Sequence, residues 1–495
     1  FFGVVTDIEL HASDPRLKHT LPDVDNPLIN EIVSGTVAYG TISVLPNLTM
    51  PMVLGAGDGP VAAKTIPAHF SRTYAASEQD VGMVFGAEDA NHFWIGSPLD
   101  MDTKVCLDLD QLVKRSIGVF GKSGTGKTFL TRLLLVGIVQ GGQACALIFD
   151  MHSEYGWGGQ DTDRNTTVKG LKQLFGSQVS TFTLDEENAR RRGISTDEVV
   201  QIGYGEIEPE DIELLKETLN LSDVAASATY DLERHFGPGA WLTEFLALDS
   251  RAGISSLAAE LNVNPSALSS LRNRLSRLTR FPFLVGDGNA NTAERIIEHL
   301  ERGKHIVLEF GRYGNDLTAY VLVSNLLSRR IHNTYVQRKE EAEGGLGREP
   351  RPLVIVIEEA HKFLSPAVAP QTTFGIIARE LRKYNVTLMV VDQRPSAIDT
   401  EVLSQVGTRL TCLLDNERDI DAVLAGTPGS RQLRGVLARL ESKQQALVFG
   451  HAVPMPLVVH TREYGEEFYA EIARHPGFGS PVSQEELEKQ ISELF

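Results

Sequence analysis

Residues 117 to 140 read IGVF, GKSGTGKT and FLTRLLLVGIVQ: an apolar run, a glycine-rich octet and a stretch with helical spacing. The octet has the pattern G-x-x-x-x-G-K-T between a strand and a helix, which is the setting of a phosphate-binding Walker A loop. Its glycines let the backbone turn, so that N–H groups surround phosphate oxygens at the positive end of the next helix. The predicted nucleotide-binding residues are Gly121, Lys122, Ser123, Gly124, Thr125, Gly126, Lys127 and Thr128, followed by Phe129.

Two side chains of this loop are expected to act directly on the nucleotide. Lys127 supplies a point charge to the β- and γ-phosphates, and the hydroxyl of Thr128 binds Mg²⁺. ATP and Mg²⁺ are therefore the expected cofactors. A plain glycine-rich turn is the alternative, which the strand-helix setting disfavours.

A second apolar strand, Leu353–Ile357, ends in the two acids Glu358 and Glu359. A phosphate-binding loop needs a carboxylate at the tip of a neighbouring strand, which holds metal-bound water and orients the attacking water. We expect Glu358 on the metal side, although Asp is more usual there, and Glu359 as the general base. A solvated strand end is the simpler alternative.

Two other strand ends carry polar candidates. Gln393 follows the apolar run Leu388–Val391 and is expected to sense the γ-phosphate or to position water; a polar strand terminus is the alternative. Asp150 follows Ala144–Phe149, and the carboxyl ends of parallel strands are where open α/β sheets bind ligands. Asp150 is therefore a candidate for organising water or the metal ion.

A basic segment between these strands, Ala378–Tyr384, carries Arg379 and Arg382. In ring-shaped NTPases an arginine from one subunit completes its neighbour's site by stabilising transition-state charge. Arg382 is the first candidate for this role and Arg379 the second. A cationic helix end that interacts with its own dipole is an adequate alternative.

The chain divides into segments of different character. Residues 1–110 contain short β-rich pieces that suggest a small β-barrel, namely Val4–Ile8, Thr36–Leu45, Val81–Phe85, Phe93–Ile95 and Val105–Leu109. Residues 111–160 and 304–462 carry the continuous apolar runs that are typical of a buried parallel sheet. Residues 161–303 are predicted to be a mostly helical insertion, and residues 463–495 an acidic tail or helix. The expected class is α/β.

Composition limits the class of protein. The chain has 495 residues, a net charge of −18 and three widely spaced cysteines. The spacing gives no zinc ribbon, and the sequence shows neither an apolar span nor a signal peptide, so we expect a cytoplasmic protein without a membrane. The negative charge argues against a basic exterior, although a small basic channel is compatible with it.

These motifs together resemble the HerA-type ATPases of the HerA/FtsK group. Four features match in order: the β-rich N-terminal region, the loop Gly121–Thr128, the D-x-H-x-E-Y string Asp150–Tyr155, and the acidic segment Glu358–His361. The late strand Ala446–Gly450 also fits. The resemblance implies a RecA-like P-loop ATPase core with an N-terminal small β-barrel and a helical insertion.

The resemblance also implies a function and partners. Its members are homohexameric DNA translocases or helicases, with ATP at subunit interfaces, double-stranded DNA in the central channel, and a NurA-like nuclease as the usual partner in DNA end processing. The expected effector would dock on the N-terminal barrel. The alternative is a ring that acts mainly as a scaffold for an effector, a nuclease or a sirtuin-like NAD-consuming enzyme, in bacterial antiphage defence.

Overall fold

The computed structural model describes residues 1–12, 38–50, 59–161, 166–248, 250–286, 290–380 and 383–474. Its centre is one large sheet with helices on both faces, so the predicted α/β class is confirmed. Within the described residues the strands are β1 Phe2–Ala12, β2 Ala38–Thr49, β3 Val61–Ala62, β4 His92–Pro98, β5 Val105–Asp108, β6 Ser116–Phe120, β7 Cys145–Asp150, β8 Gly159–Asp161, β9 Thr166–Val168, β10 Val179–Thr183, β11 Glu198–Val199, β12 Ile202–Gly203, β13 Leu284–Val285, β14 His305–Glu309, β15 Leu353–Glu358, β16 Val386–Asp392, β17 Val406–Thr411, β18 Gln445–Gly450 and β19 Leu457–Thr461.

The large sheet has the order β11-β10-β14-β7-β15-β16-β6-β17-β18-β19-β4-β5. In this spatial order, the strands from β11 through β17 run parallel to one another. The remaining four, β18, β19, β4 and β5, extend the sheet by antiparallel pairing. Parallel strands direct all their carboxyl ends to one edge, where ligands bind. The ends of β6, β7, β15 and β16 therefore meet at a single edge.

Helices cover the sheet. The α-helices of the described residues are Glu78–Phe85, Leu109–Val113, Lys127–Gly141, Leu171–Phe175, Glu186–Arg191, Pro209–Leu214, Lys216–Leu219, Asp223–Phe236, Trp241–Ala247, Arg251–Glu260, Pro265–Leu275, Thr292–Glu301, Leu317–Glu343, His361–Leu364, Thr373–Glu380, Thr400–Ser404, Glu417–Leu424, Ser430–Ala438 and Glu466–Arg474. None of these helices is both long and apolar enough to cross a bilayer.

Two apolar cores lie on opposite faces of the sheet because successive strand residues point to opposite sides. On β15, Leu353, Ile355 and Ile357 belong to one core, whereas Val354 and Val356 belong to the other. All five side chains are fully buried. Burial on both faces explains the continuous apolar run in the sequence.

The predicted N-terminal barrel is not confirmed. In the described residues β1, β2 and β3 form an open antiparallel sheet, and β4 and β5 extend the large sheet instead. The antiparallel pairs β1–β2 and β4–β5 belong to different sheets, which the regular spacing of short strands in the sequence does not reveal.

The prediction of a strand at Val81–Phe85 is wrong. These residues belong to the helix Glu78–Phe85, which begins with a capping box between Ser77 and Asp80. Val81, Val84 and Phe85 are buried at helical spacing. The reciprocal cap satisfies backbone groups of the first turn, so the local signal favours a helix over the β-propensity of valine and phenylalanine.

The segment 161–303 is helical for most of its described length, but it also contributes two strands to the large sheet. Val179–Thr183 pairs with β14, and Glu198–Val199 forms the sheet edge. The serine and threonine residues of β10 hide this strand in the sequence. Farther along, four leucines are buried, namely Leu268, Leu271, Leu275 and Leu278.

Candidate nucleotide-binding and hydrolysis site

The glycine-rich loop joins β6 to the helix Lys127–Gly141, as the sequence predicts. Gly126 has φ 93°, which favours glycine, and it precedes the first helical residue. A Cβ atom on Gly121 would lie 2.8 Å from the Cβ of Cys412, so a side chain has no room there. The hydroxyl of Thr125 donates to the backbone oxygen of Lys122 at 2.8 Å and closes the loop.

A cavity of about 480 Å³ opens beside this loop. Its walls include the predicted residues Ser123, Gly124, Thr125, Gly126, Lys127, Thr128 and Phe129. Gly121 and Lys122 lie at the root of the loop, where the backbone N–H of Lys122 donates to Leu413 and its side chain pairs with Asp415. The loop therefore presents its central and last residues to a ligand.

Lys127 lies next to the acidic edge of the sheet. Its Nζ is 3.3 Å from the backbone oxygen of Lys122. Burial lowers the pKa of Lys127, whereas the nearby Glu359, Asp392 and Glu358 act in the opposite direction. A partly buried cation in such a position interacts strongly with phosphate because the effective dielectric constant is low.

Glu358 ends β15 in a buried position. Tyr155 donates its hydroxyl to Glu358 Oε1 at 2.8 Å, and Tyr320 donates to the backbone oxygen of Glu358 at 2.9 Å. Burial, reinforced by the charge of Asp150, raises the pKa of Glu358 to about 8. The second carboxylate oxygen, Oε2, is buried and accepts no hydrogen bond from the described residues.

Glu359 has a different environment. Its φ is 48°, an unusual value for a residue with a side chain, which costs roughly 1–3 kcal/mol. Gln393 directs its Nε2 at both carboxylate oxygens, at 3.3 and 3.4 Å. The side chain of Glu359 is 24% exposed, so solvent can reach it. Its carboxylate is held by Gln393, which lies at the end of the neighbouring strand. The structure thus brings together the two residues that the sequence predicted as base and sensor.

Asp150 does not have the position expected for a water or metal ligand. Its carboxylate is fully buried and accepts the backbone N–H groups of Glu154, Tyr155 and Gly156 at 2.8, 2.8 and 3.2 Å. These bonds fold the chain after β7 and place Tyr155 against Glu358. Asp150 therefore fixes the chain segment that follows β7. It affects the site only indirectly, by placing Tyr155 against Glu358.

Of the two arginine candidates, Arg379 is not among the described residues that line the cavity. Arg379 is partly exposed near the end of the helix Thr373–Glu380, and Arg382 lies outside the described residues. The choice between them as a trans-acting arginine stays a prediction.

Sequence reasoning missed the far wall of the cavity. Arg132 donates from Nε to the backbone oxygen of Glu154 at 3.0 Å and lies over the rings of Phe129 and Tyr464. Tyr464, together with Lys443–Gln445, comes from the last quarter of the chain. No spacing rule connects these residues to the glycine-rich loop, because the antiparallel extension of the sheet brings them there.

Comparison with known proteins finds HerA helicases as relatives of this chain. The family model described as the central domain of helicase HerA matches residues 93–331. The DNA double-strand break repair helicase HerA of Pyrococcus furiosus is 24% identical over 423 residues, which are 79% of this chain and 73% of the relative. Its namesake in Sulfolobus acidocaldarius is 26% identical over 389 residues, with coverage of 78% and 71%.

A solved structure of the bacterial conjugative coupling protein TrwB is similar in fold. Its TM-score is 0.50 at 13% identity, and the match covers 81% of this chain and 96% of that chain. The phosphate-binding loop, the acidic strand end beside it and the matched central domain agree with one another, and the chain is similar to HerA-type ATPases over most of its length.

Proposed function

We propose that this chain hydrolyses ATP to move double-stranded DNA as a homohexameric ring. The observation that carries the proposal is that the glycine-rich loop and Glu359, whose carboxylate Gln393 holds, lie at the same edge of the sheet. A site that only bound nucleotide would not need a carboxylate in a strained conformation beside the phosphate loop.

The residues present divide the hydrolytic work. The loop N–H groups and Lys127 hold the phosphates, and Gln393 fixes the carboxylate of Glu359. Glu359 accepts a proton from the attacking water at a carboxylate oxygen. Arg382 or Arg379 of a neighbouring subunit supplies positive charge to the transition state, as in other ring NTPases.

The residues also fit Mg²⁺. Glu358 Oε2 is a buried carboxylate oxygen without a hydrogen bond from the described residues. Mg²⁺ in nucleotide sites is typically bound by one or two protein ligands, phosphates and water. Thr128 and Glu358 would hold this ion, which neutralises phosphate charge when bound.

The names of the relatives support DNA as the substrate. Both archaeal relatives are named DNA double-strand break repair helicases. The net charge of −18 restricts the expected DNA contacts to the interior of a ring. A nuclease partner in end processing or antiphage defence is part of the same proposal.

The N-terminal sheet offers a surface for such a partner. Val5 pairs with Val44 and Ile8 pairs with Ile42 across β1 and β2, and all four side chains are exposed. An irregularity between Val5 and Asp7 puts both pairs on one face. Exposed apolar side chains in neighbouring cross-strand pairs are typical of a protein contact.

The same surface and the acidic charge favour a second candidate function. In it the ring is chiefly a scaffold that docks and regulates a nuclease or a sirtuin-like NAD-consuming effector in antiphage defence. The ATPase activity would then respond to the effector more than to DNA.

One experiment separates these functions. The ATPase rate is measured with and without double-stranded DNA, and with and without the product of the adjacent gene. A motor shows a rate that rises with DNA, whereas a scaffold shows a rate that only the partner changes. A chain without ATP turnover under all four conditions would contradict both.

A further inference from the structure

The turn that carries Glu359 is fixed on both sides. Before it, Tyr320 donates its hydroxyl to the backbone oxygen of Glu358 at 2.9 Å. After it, the backbone N–H of His361 donates to Asp392 Oδ2 at 2.7 Å. Glu359, whose backbone is left-handed, therefore lies between two hydrogen bonds, one to the helix Leu317–Glu343 and one to the end of β16.

One imidazole nitrogen of His361 faces two carboxylates. Its Nδ1 is 3.0 Å from Asp392 Oδ2 and 3.6 Å from Glu359 Oε2. Asp392 is fully buried, and its Oδ1 also accepts the backbone N–H of Arg394 at 2.7 Å. Asp392 thus fixes the ring, and the ring contacts the carboxylate of Glu359.

Asp392 also connects this group to the phosphate loop. It is the last residue of β16 and lies opposite Phe120 of β6 in the parallel ladder. Phe120 directly precedes Gly121. The ring of His361 is therefore anchored to the base of the loop that would hold the phosphates.

We infer that His361, held by Asp392, is a positioning residue that orients Glu359 toward the γ-phosphate. This inference rests on the proposed function, since it requires Glu359 to be the general base. Gln393 and His361 together would hold a carboxylate whose backbone is strained. Loss of the imidazole frees Glu359 to turn away and slows hydrolysis without weakening ATP binding.

The test compares His361→Leu with His361→Asn in the full chain. Leucine keeps similar volume but has no donor, whereas the side-chain nitrogen of asparagine can occupy the place of Nδ1. We expect kcat to fall at least about tenfold in His361→Leu, with the Kd for ATP changed less than about threefold. His361→Asn should recover a large part of kcat.

A double variant provides the decisive control. Added to Glu359→Gln, His361→Leu should cause no further loss of kcat, because its effect passes through the carboxylate. Losses that multiply would indicate an independent structural role and overturn the inference, as would normal kcat in His361→Leu. If the leucine variant does not fold, His361→Gln takes its place, because its amide nitrogen corresponds to Nε2 and not to Nδ1. Slowing of His361→Gln alone, with no further slowing in its Glu359→Gln combination, then supports the inference, whereas normal turnover of His361→Gln overturns it.

The two proposals fail in different ways. If Glu359→Gln alone keeps normal turnover, the proposed base is wrong. If Glu359→Gln is slow and His361→Leu is normal, only the positioning role of His361 is wrong.

Discussion

Glu358 and Glu359 are neighbours in the chain but have opposite environments. Glu358 is buried, has a pKa of about 8 and accepts a hydroxyl from Tyr155. Glu359 is about a quarter exposed and contacts Gln393 and His361. A buried acid with an unpaired oxygen suits a cation, whereas an open carboxylate near the phosphate loop suits proton transfer. One peptide bond thus separates the two residues for which we propose different chemical roles.

Lys127→Ala should abolish ATP binding. The substitution removes the only loop side chain expected to pair with the β- and γ-phosphates, while the backbone of the helix start is kept. Binding of a fluorescent ATP analogue measures the effect, with Lys114→Ala as the control because Lys114 is exposed and lies before β6, at the end of that strand away from the loop. Normal turnover by Lys127→Ala would contradict the assignment of the loop.

Glu359→Gln should bind ATP normally and hydrolyse it slowly. Glutamine keeps the size of the side chain but cannot accept the proton, a loss of roughly 10²-fold or more in kcat. Single-turnover hydrolysis and ATP binding are measured on the same preparation. Unchanged hydrolysis would remove Glu359 as the general base.

Among the secondary-structure elements, β7 and β15 are connected in two ways: by the hydrogen bonds of their parallel ladder, and by the loop that follows β7. Asp150 at the end of β7 accepts three backbone N–H groups, and these bonds place Tyr155 on Glu358 at the end of β15. A second link joins β14 to β7, where the backbone N–H of Ala146 donates to His305 Nδ1 at 3.1 Å. This bond requires a neutral imidazole.

The hydrogen bond between Ala146 and His305 predicts that the free energy of unfolding depends on pH. Burial lowers the pKa of His305 to about 4. Because the folded value lies below the unfolded one, the contribution of His305 is complete above about pH 6.5 and declines as the pH falls toward 4, by about 3 kcal/mol in all. Urea unfolding at pH 7.5 and at lower pH measures this loss.

The contribution of His305 to the pH dependence of the free energy of unfolding is obtained as a difference between variants. This is necessary because buried acids such as Glu309 and Glu358 change that free energy in the opposite direction as the pH falls. Burial raises their pKa values to about 7 and 8, so their protonation stabilises the fold as the pH falls. We expect His305→Asn to lose less stability on acidification than the natural chain. His460→Asn, at an exposed position on β19, should match the natural chain. Equal pH slopes in all three proteins would refute the role of His305.

At the scale of the whole molecule, the cavity beside the loop has walls from distant parts of one chain and no arginine from Ala378–Tyr384 among its described lining. The proposed ring supplies that charge from a neighbour. In that proposed ring, we expect the net charge of −18 to lie mainly on the exterior, where it would meet proteins and not DNA.

Arg382→Ala should abolish ATP turnover even in an assembled ring. Mixing this variant with Lys127→Ala should restore part of the activity, because hybrid interfaces combine an intact loop with an intact arginine. Arg379→Ala, tested in the same way, decides between the two candidates. Assembled mixtures without any recovery for either arginine would exclude a trans-acting role in this segment.

DNA binding should be weak for the isolated subunit and sensitive to salt. Each phosphate contact lowers the logarithm of the affinity by about 0.9 per tenfold increase in salt. Affinity for double-stranded DNA is measured between low and physiological salt, with and without ATP to promote assembly. Binding that is tight and independent of salt would contradict contacts confined to a channel.

The glycine-rich loop, the acidic strand end and the α/β class could be predicted from the amino-acid sequence. These features depend on consecutive residues: the loop Gly121–Thr128 needs small residues in fixed order, and β15 needs an unbroken apolar run because both of its faces are buried. Gln393 was also predictable as the end of a strand, although its contact with Glu359 was not.

Tertiary structure alone decided which strands share a sheet and which polar groups meet. The sequence placed β4 and β5 with an N-terminal barrel, but pairing with β19 puts them in the large sheet. Asp150 has a favourable position in the sequence, yet its own backbone neighbours occupy its carboxylate. Tyr155 and Glu358 are 203 residues apart in the chain and 2.8 Å apart in space. Local order fixes backbone geometry, whereas burial and long-range hydrogen bonds depend on packing that no short stretch of sequence contains.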